Sequence, residues 1–196
     1  MLQFVCSPND KYSQPELAQM ALEGGCTWIQ LRMPEGFSTE YLREVADDLV
    51  AMCREAAAFL TFENMPEQAR EMGVHGVHIS KGGMPLAIEV REQLGPEAVV
   101  GVELATLSDI DAAQHADIDY VTLPGHMEVE KASALIAAAR RASITIPIVA
   151  AGQISVEDVP VLLAAGYNGI AVGSDIADAA NPVERTEEYI NLLKGL

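Results

Sequence analysis

The feature that most constrains this chain is an internal repeat in which a glycine or aspartate precedes, by three residues, a short apolar run. Four copies align: residues 25–32 (GCTWIQLR), 73–80 (GVHGVHIS), 117–124 (DIDYVTLP) and 166–173 (GYNGIAVG). Their starts lie 48, 44 and 49 residues apart. That spacing is too long for one strand and one helix and suits two such pairs. Four further apolar runs fall between the copies, at 2–6, 59–62, 99–102 and 146–150, making eight strand candidates.

Each candidate is followed by apolar residues at helical spacing, such as Leu17, Met20 and Ala21, or Leu135, Ile136 and Ala139. Helix starts are marked by Ser38 before Thr39-Glu40-Tyr41, by Ser155 opening S-V-E-D, and by Asn181-Pro182. Parallel strands require such crossovers, so eight strand-helix units in one chain predict a (β/α)₈ TIM barrel, a single domain over residues 1–196. An open doubly wound sheet is the alternative, and the evenness of the repeat argues against it.

Successive strand residues point to opposite faces. In the aligned copies Ile29 and Leu31, Val77 and Ile79, Val121 and Leu123, and Ile170 and Val172 share one parity and are expected to face the helices. Gln30 and Arg32, His78 and Ser80, Thr122 and Pro124, and Ala171 and Gly173 then point inward, towards the C-terminal mouth where barrel enzymes work.

Composition narrows the partners. The formal net charge is −17 and the pI about 4.4, so nucleic acid is excluded as a partner: its phosphates would meet a repelling field. No stretch approaches the roughly 18–20 apolar residues of a membrane span, and the first seven residues (MLQFVCS) carry no leader pattern. The chain reads as cytoplasmic, with no membrane partner. Three cysteines, Cys6, Cys26 and Cys53, lack metal-ligand spacing and fit small buried hydrophobes in a reducing compartment. An anionic substrate must then be drawn by local donors or a bound cation.

Arg32 offers a planar fork for phosphate or carboxylate, or alternatively pairs with Glu63 or Glu103. Gln30 should hydrogen-bond substrate or Arg32. After the seventh strand come Gly152 and Gln153, after the eighth Gly173, Ser174 and Asp175, in the loops that form the recurring phosphate cup of this fold. Asp175 disfavours a phosphate there unless its carboxylate turns away. Glu63, Asn64 and Glu103 end strands near the mouth, where the glutamates could hold Mg²⁺ or be solvated. His75 and His115 are expected on the surface at the opposite end, His78 as a satisfied core histidine, and His126 near the mouth only if its loop folds over. Lys81 and Lys131 are the nearest cations for an anionic ligand.

With QLR after the second strand, GVHIS at the fourth, DYVTL at the sixth, PIVAAGQIS at the seventh and GIAVGSDI at the eighth, the whole chain resembles the thiamine phosphate synthase family and its tautomerase sister branch. The resemblance implies a Mg²⁺-assisted transferase that joins hydroxymethylpyrimidine diphosphate to thiazole phosphate and releases pyrophosphate. It implies that Gln30 and Arg32 contact diphosphate, and that Glu63, Asn64, Glu103, Gly152, Gln153, Gly173 and Ser174 stand at substrate-binding positions. Several residues depart from the pattern. The expected lysine is Pro34, the Asn-Asp pair is Glu63-Asn64, the second metal-binding aspartate falls near Gly83, the fifth-strand serine is Glu103, and the tautomerase histidine falls on Ala105. The usual aspartate ligands of Mg²⁺ are thus absent, and the metal ligands are unassigned. The alternative is a divergent barrel that lost the transferase chemistry and binds a small phosphorylated metabolite. The apolar-rich barrel also leaves room for a homodimer.

Overall fold

A computed structural model describes residues 1–195. Eight parallel strands close into a barrel in sequence order, β1 to β8. They are β1 Leu2–Cys6, β2 Trp28–Leu31, β3 Phe59–Glu63, β4 Gly76–Ile79, β5 Val99–Glu103, β6 Tyr120–Leu123, β7 Ile148–Ala151 and β8 Gly169–Val172. The helices are α1 Gln14–Glu23, α2 Thr39–Glu55, α3 Pro66–Met72, α4 Gly83–Leu94, α5 Leu107–His115, α6 Val129–Arg141, α7 Val159–Ala164, α8 Ser174–Ala177 and α9 Pro182–Lys194. The even-numbered strands each begin three residues after the repeat's glycine or aspartate, as predicted. No helix among the described residues is long and apolar enough to cross a membrane.

The repeat has a mechanical reason. Two residues after each of its last three starts stands an acceptor that takes an N–H from the preceding strand. His75 Nδ1 accepts from Leu60 N at 3.0 Å, Asp119 Oδ2 from Val100 N at 2.7 Å, and Asn168 Oδ1 from Ile148 N at 2.8 Å. Arginines reinforce two of these latches at the N-terminal end of the barrel. Arg91 donates to Gly95 O at 2.8 Å and Ala98 O at 2.6 Å and pairs with Asp119; Arg140 donates to Ile144 O at 2.8 Å, Ile146 O at 3.0 Å and Asn168 at 2.8 Å. The latches also explain the strand start at Ile148. Ile146 gives its N–H to Gln114 and its carbonyl to Arg140, and Pro147 has no N–H to donate.

The sequence-predicted helix starts are present. Ser38 accepts from Tyr41 N, Ser155 forms a capping box with Asp158, and Asn181 accepts from Val183 N with Pro182 at the first helical position. The expected parity holds. Ile29, Leu31, Val77, Ile79, Val121, Leu123, Ile170 and Val172 are buried in the large core between sheet and helices. Cys6, Cys26 and Cys53 are buried free thiols of that core, and burial pushes their pKa values up, to about 12 for Cys6 and about 11 for the others.

The barrel interior is a separate, smaller core of Val5, Tyr120, Val149 and Ala171, with Trp28, Val99 and Ala151 against it. Tyr120 fills the axis because position 101 on the neighbouring strand is glycine. A Cβ at Gly101 would lie 2.1 Å from Tyr120 Cζ. The Tyr120 ring meets Trp28 edge-on at 5.2 Å and carries His78 stacked on it at 5.5 Å. Above this aromatic floor the interior turns polar, with Gln3, Gln30, Thr61, His78 and Thr122 all buried.

Candidate active site

The C-terminal mouth opens onto a cavity of about 380 Å³. Its walls include Gln30 and Arg32 from the second strand-loop unit, Glu103 at the end of β5, Gly152 and Gln153 after β7, and Gly173 and Ser174 after β8. Seven of the nine predicted site residues are thus brought together. The other two, Glu63 and Asn64, stand behind this lining and brace it.

Glu63 is the hub of that brace. Its side chain is only 8% exposed, and both oxygens are engaged: Oε2 accepts from Gln30 Nε2 at 2.8 Å and Arg32 Nε at 2.6 Å, and Oε1 accepts from Ser80 Oγ at 2.9 Å. Asn64, in the left-handed region at φ 54, donates from Nδ2 to Ser80 Oγ at 2.7 Å and accepts Ser80 N–H at 2.9 Å. Arg32 therefore adopts the structural pairing that the sequence offered as an alternative, while its half-exposed side chain still lines the cavity. Gln30 has different partners from those expected. Instead of Arg32 it binds Glu63, and its Oε1 accepts from Gln3 Nε2 at 2.8 Å.

In the same cavity wall, the loop after β7 meets the loop after β6. A Cβ at Gly125 would lie 2.7 Å from both Ala151 O and Gly152 Cα, and Gly152 itself has φ +121, so glycine is required on both sides of this contact. The backbone N–H groups of Gly152, Gln153, Gly173 and Ser174 donate to no protein carbonyl among the described residues. Asp175, the residue that counted against an anion, turns away: its Oδ2 lies 2.7 Å from Tyr189 Oη and 3.3 Å from Arg185. Tyr189 is fully buried and also reaches Ile154 O at 2.9 Å, which ties the two loops together.

Electrostatics divide the cavity. Burial, with a smaller push from Arg32, lowers the His78 pKa to about 4, so the imidazole is neutral near pH 7. The satisfied core histidine expected from the sequence is only half satisfied. Nε2 lies 3.4 Å from Thr122 Oγ1, but among the described residues Nδ1 has no partner, and neither has Gln3 Oε1. Glu103 is raised above the usual carboxylate range by burial, against the opposing pull of His126. His126 is exposed and outside the lining; Lys81 and Lys131 pair with Glu35 at 3.5 Å and Glu128 at 2.9 Å on the surface.

The Mg²⁺ implied by the resemblance does not fit the residues at its expected corner. Both Glu63 oxygens are already engaged by Gln30, Arg32 and Ser80, the Asn64 amide is closed onto Ser80, and Gly83 has no side chain. No cluster of three or more metal-ligating side chains occurs among the described residues. The sequence reading also missed part of the wall. Gln3, Val5, Ser7, Pro8 and Asn9 from β1 and its loop line the cavity, as does Asp178, which accepts from Asn9 Nδ2 at 2.8 Å. The parity applied to the other strands would have placed Gln3 and Val5 inside, because both alternate with the helix-facing Leu2, Phe4 and Cys6.

A closed barrel of eight parallel strands with its cavity at the C-terminal mouth belongs to the (β/α)₈ class. The comparisons narrow this further. A sequence profile described as thiamine monophosphate synthase matches residues 2–176. Thiamine-phosphate synthases of Bacteroides fragilis are 36% identical over 97% of this chain and 98% of their own length, and one of Pyrococcus abyssi is 30% identical over 94% and 92%. The solved thiamine phosphate pyrophosphorylase of Pyrococcus furiosus superposes with a TM-score of 0.85 at 25% identity, covering 99% of this chain and 95% of that one. The chain belongs to the thiamine monophosphate synthase family.

Proposed function

We propose that this protein joins a hydroxymethylpyrimidine diphosphate to a thiazole phosphate, releasing pyrophosphate. The observation that carries this reading is that Gln30 and Arg32 line one cavity together with Gly152, Gln153, Gly173 and Ser174, whose N–H groups donate to no protein carbonyl among the described residues. Two anionic groups need two separate sets of donors, and the cavity offers both.

In this reading Arg32 and Gln30 orient the diphosphate, with Glu63, Asn64 and Ser80 holding those side chains in place. The β7 and β8 loops hold the thiazole phosphate through their N–H groups, with the Ser174 hydroxyl beside them. The thiazole nitrogen then attacks the pyrimidine methylene carbon as the carbon–oxygen bond to the diphosphate breaks, and the electron pair leaves on pyrophosphate. The chain's contribution is alignment plus stabilisation of the departing charge by Arg32. Mg²⁺ would add charge neutralisation on the diphosphate, and the chain offers it no preformed carboxylate pair. Full-length family membership supports this reading over a barrel that merely binds a phosphorylated metabolite.

The test is direct. Purified protein is incubated with both substrates, with and without Mg²⁺, and thiamine phosphate and pyrophosphate are quantified beside a family member of established activity. Equimolar appearance of both products is expected. Their absence, while the companion enzyme turns over, overturns the reading.

A further inference from the structure

Gln3, on β1, is fully buried and lines the cavity. Its amide nitrogen spends both hydrogens on residues of other strands: Nε2 donates to Gln30 Oε1 at 2.8 Å and to Tyr120 Oη at 3.1 Å. Gln30 in turn donates to Glu63 Oε2 at 2.8 Å, the oxygen that also takes Arg32 Nε at 2.6 Å. Tyr120, Gln3, Gln30 and Glu63 thus form one hydrogen-bonded run from the barrel axis to the arginine at the mouth.

The run has one workable direction. An ionised carboxylate accepts and never donates, so Glu63 requires the N–H end of the Gln30 amide. The carbonyl end of Gln30 then faces Gln3, which must present its own N–H end, because two amide oxygens in contact would repel. Two amides that could each sit either way round are thereby set by Glu63 at one end and held by Gln3 at the other. One hydrogen of Gln30 Nε2 is left without a protein acceptor among the described residues, on a side chain that lines the cavity. If the Gln3 amide is removed, the buried Gln30 oxygen loses the donor it has among the described residues. An orphaned buried carbonyl is costly, and turning it into the cavity to meet water pulls Nε2 away from Glu63.

We propose that Gln3 is a positioning residue for anion binding: it acts through Gln30, fixing that amide so that its unspent N–H, beside Arg32, meets the anion. The proposal rests on the transferase reading for the identity of that anion as a diphosphate.

The experiment measures the affinity for inorganic pyrophosphate of wild type, Gln3→Met, Gln30→Met and the double variant by calorimetry, with melting curves on the same samples. Methionine keeps the length of glutamine and removes the amide. Gln3→Met is expected to bind about fivefold more weakly and Gln30→Met about tenfold. The double variant is expected to match Gln30→Met, because Gln3 then has no amide to position. A merely structural Gln3 lowers the melting temperature and weakens binding by the same factor in both backgrounds. That multiplicative result, an unchanged affinity in Gln3→Met, or a wild type that does not bind pyrophosphate overturns the proposal. Gln3→Asn, whose amide is one methylene short of Gln30, takes the place of Gln3→Met if the latter does not fold, with the same expected pattern. A loss confined to the Gln30 background, in a protein that forms no thiamine phosphate, would leave this proposal standing and sink the transferase reading; turnover with multiplicative losses would do the reverse.

Discussion

The Arg32–Glu63 pair makes the sharpest quantitative test of how the mouth is built. Glu63 is 8% exposed at the side chain and Arg32 49%, with Nε to Oε2 at 2.6 Å. A hydrogen bond between charged groups is worth about 1.5–3 kcal/mol, and solvent on the arginine side screens this one towards the lower end. Arg32→Ala leaves Glu63 with two of its three donors, Gln30 and Ser80. The full cost of about 3–5 kcal/mol for stranding a buried ion therefore does not apply. The expected loss is about 1.5 kcal/mol, or a fall in Tm of about 3–6 °C for a chain of this size. Glu63→Gln should cost a similar amount, and the double variant should recover about 1 kcal/mol of the sum, since the two residues share one contact. Chemical denaturation of the four proteins measures the cycle, and pyrophosphate titration of the same samples should show Arg32→Ala binding on the order of tenfold more weakly. Strict additivity together with unaltered anion affinity would show that Arg32 neither braces Glu63 nor faces the ligand.

Three further outcomes follow from the same geometry. His78 titrates near 6.5 unfolded and near 4 folded, so the native state loses stability as pH falls from about 6.5 to 4 while the unfolded chain takes up the proton; His78→Phe should remove about 3 kcal/mol of that acid dependence, and identical pH profiles would refute it. Gly101→Ala sets a Cβ 2.1 Å from Tyr120 Cζ and should cost about 3 kcal/mol by overpacking, read as a lower urea midpoint; an unmoved midpoint would mean the floor is not close-packed. Tyr189→Phe removes the hydroxyl beside Asp175 and Ile154, so about 1.5 kcal/mol of stability should go. Phosphate affinity should weaken with it, and an unchanged affinity would separate the Tyr189 tie from the loop geometry.

Much of the architecture was legible because it rests on local and periodic rules. The repeat at Gly25, Gly73, Asp117 and Gly166 located the even-numbered strands, since each must be entered at a fixed distance from a turn. Ser38, Ser155 and Asn181 announced helix starts because orphan N–H groups at a helix end need a nearby acceptor. Alternation along the strands sorted Ile29 from Gln30 and Val77 from His78, because a pleated strand cannot place neighbours on the same face.

The partners of those inward side chains were decided only by closure of the barrel. Gln3 reaches Gln30 and Tyr120, residues 27 and 117 positions away, because β1 sits beside β2 and the Tyr120 ring crosses the axis at the height of Gly101. The same closure turned Glu63 from a candidate metal ligand into an acceptor with both oxygens engaged, turned Asp175 towards Tyr189, and left Glu103 in the cavity wall without a hydrogen-bond or ion-pair partner among the described residues. Parity in a sequence states which face a residue occupies. How far it projects, what meets it there and whether its charge is already answered depend on side chains brought together from the whole chain, and only packing in three dimensions sets them.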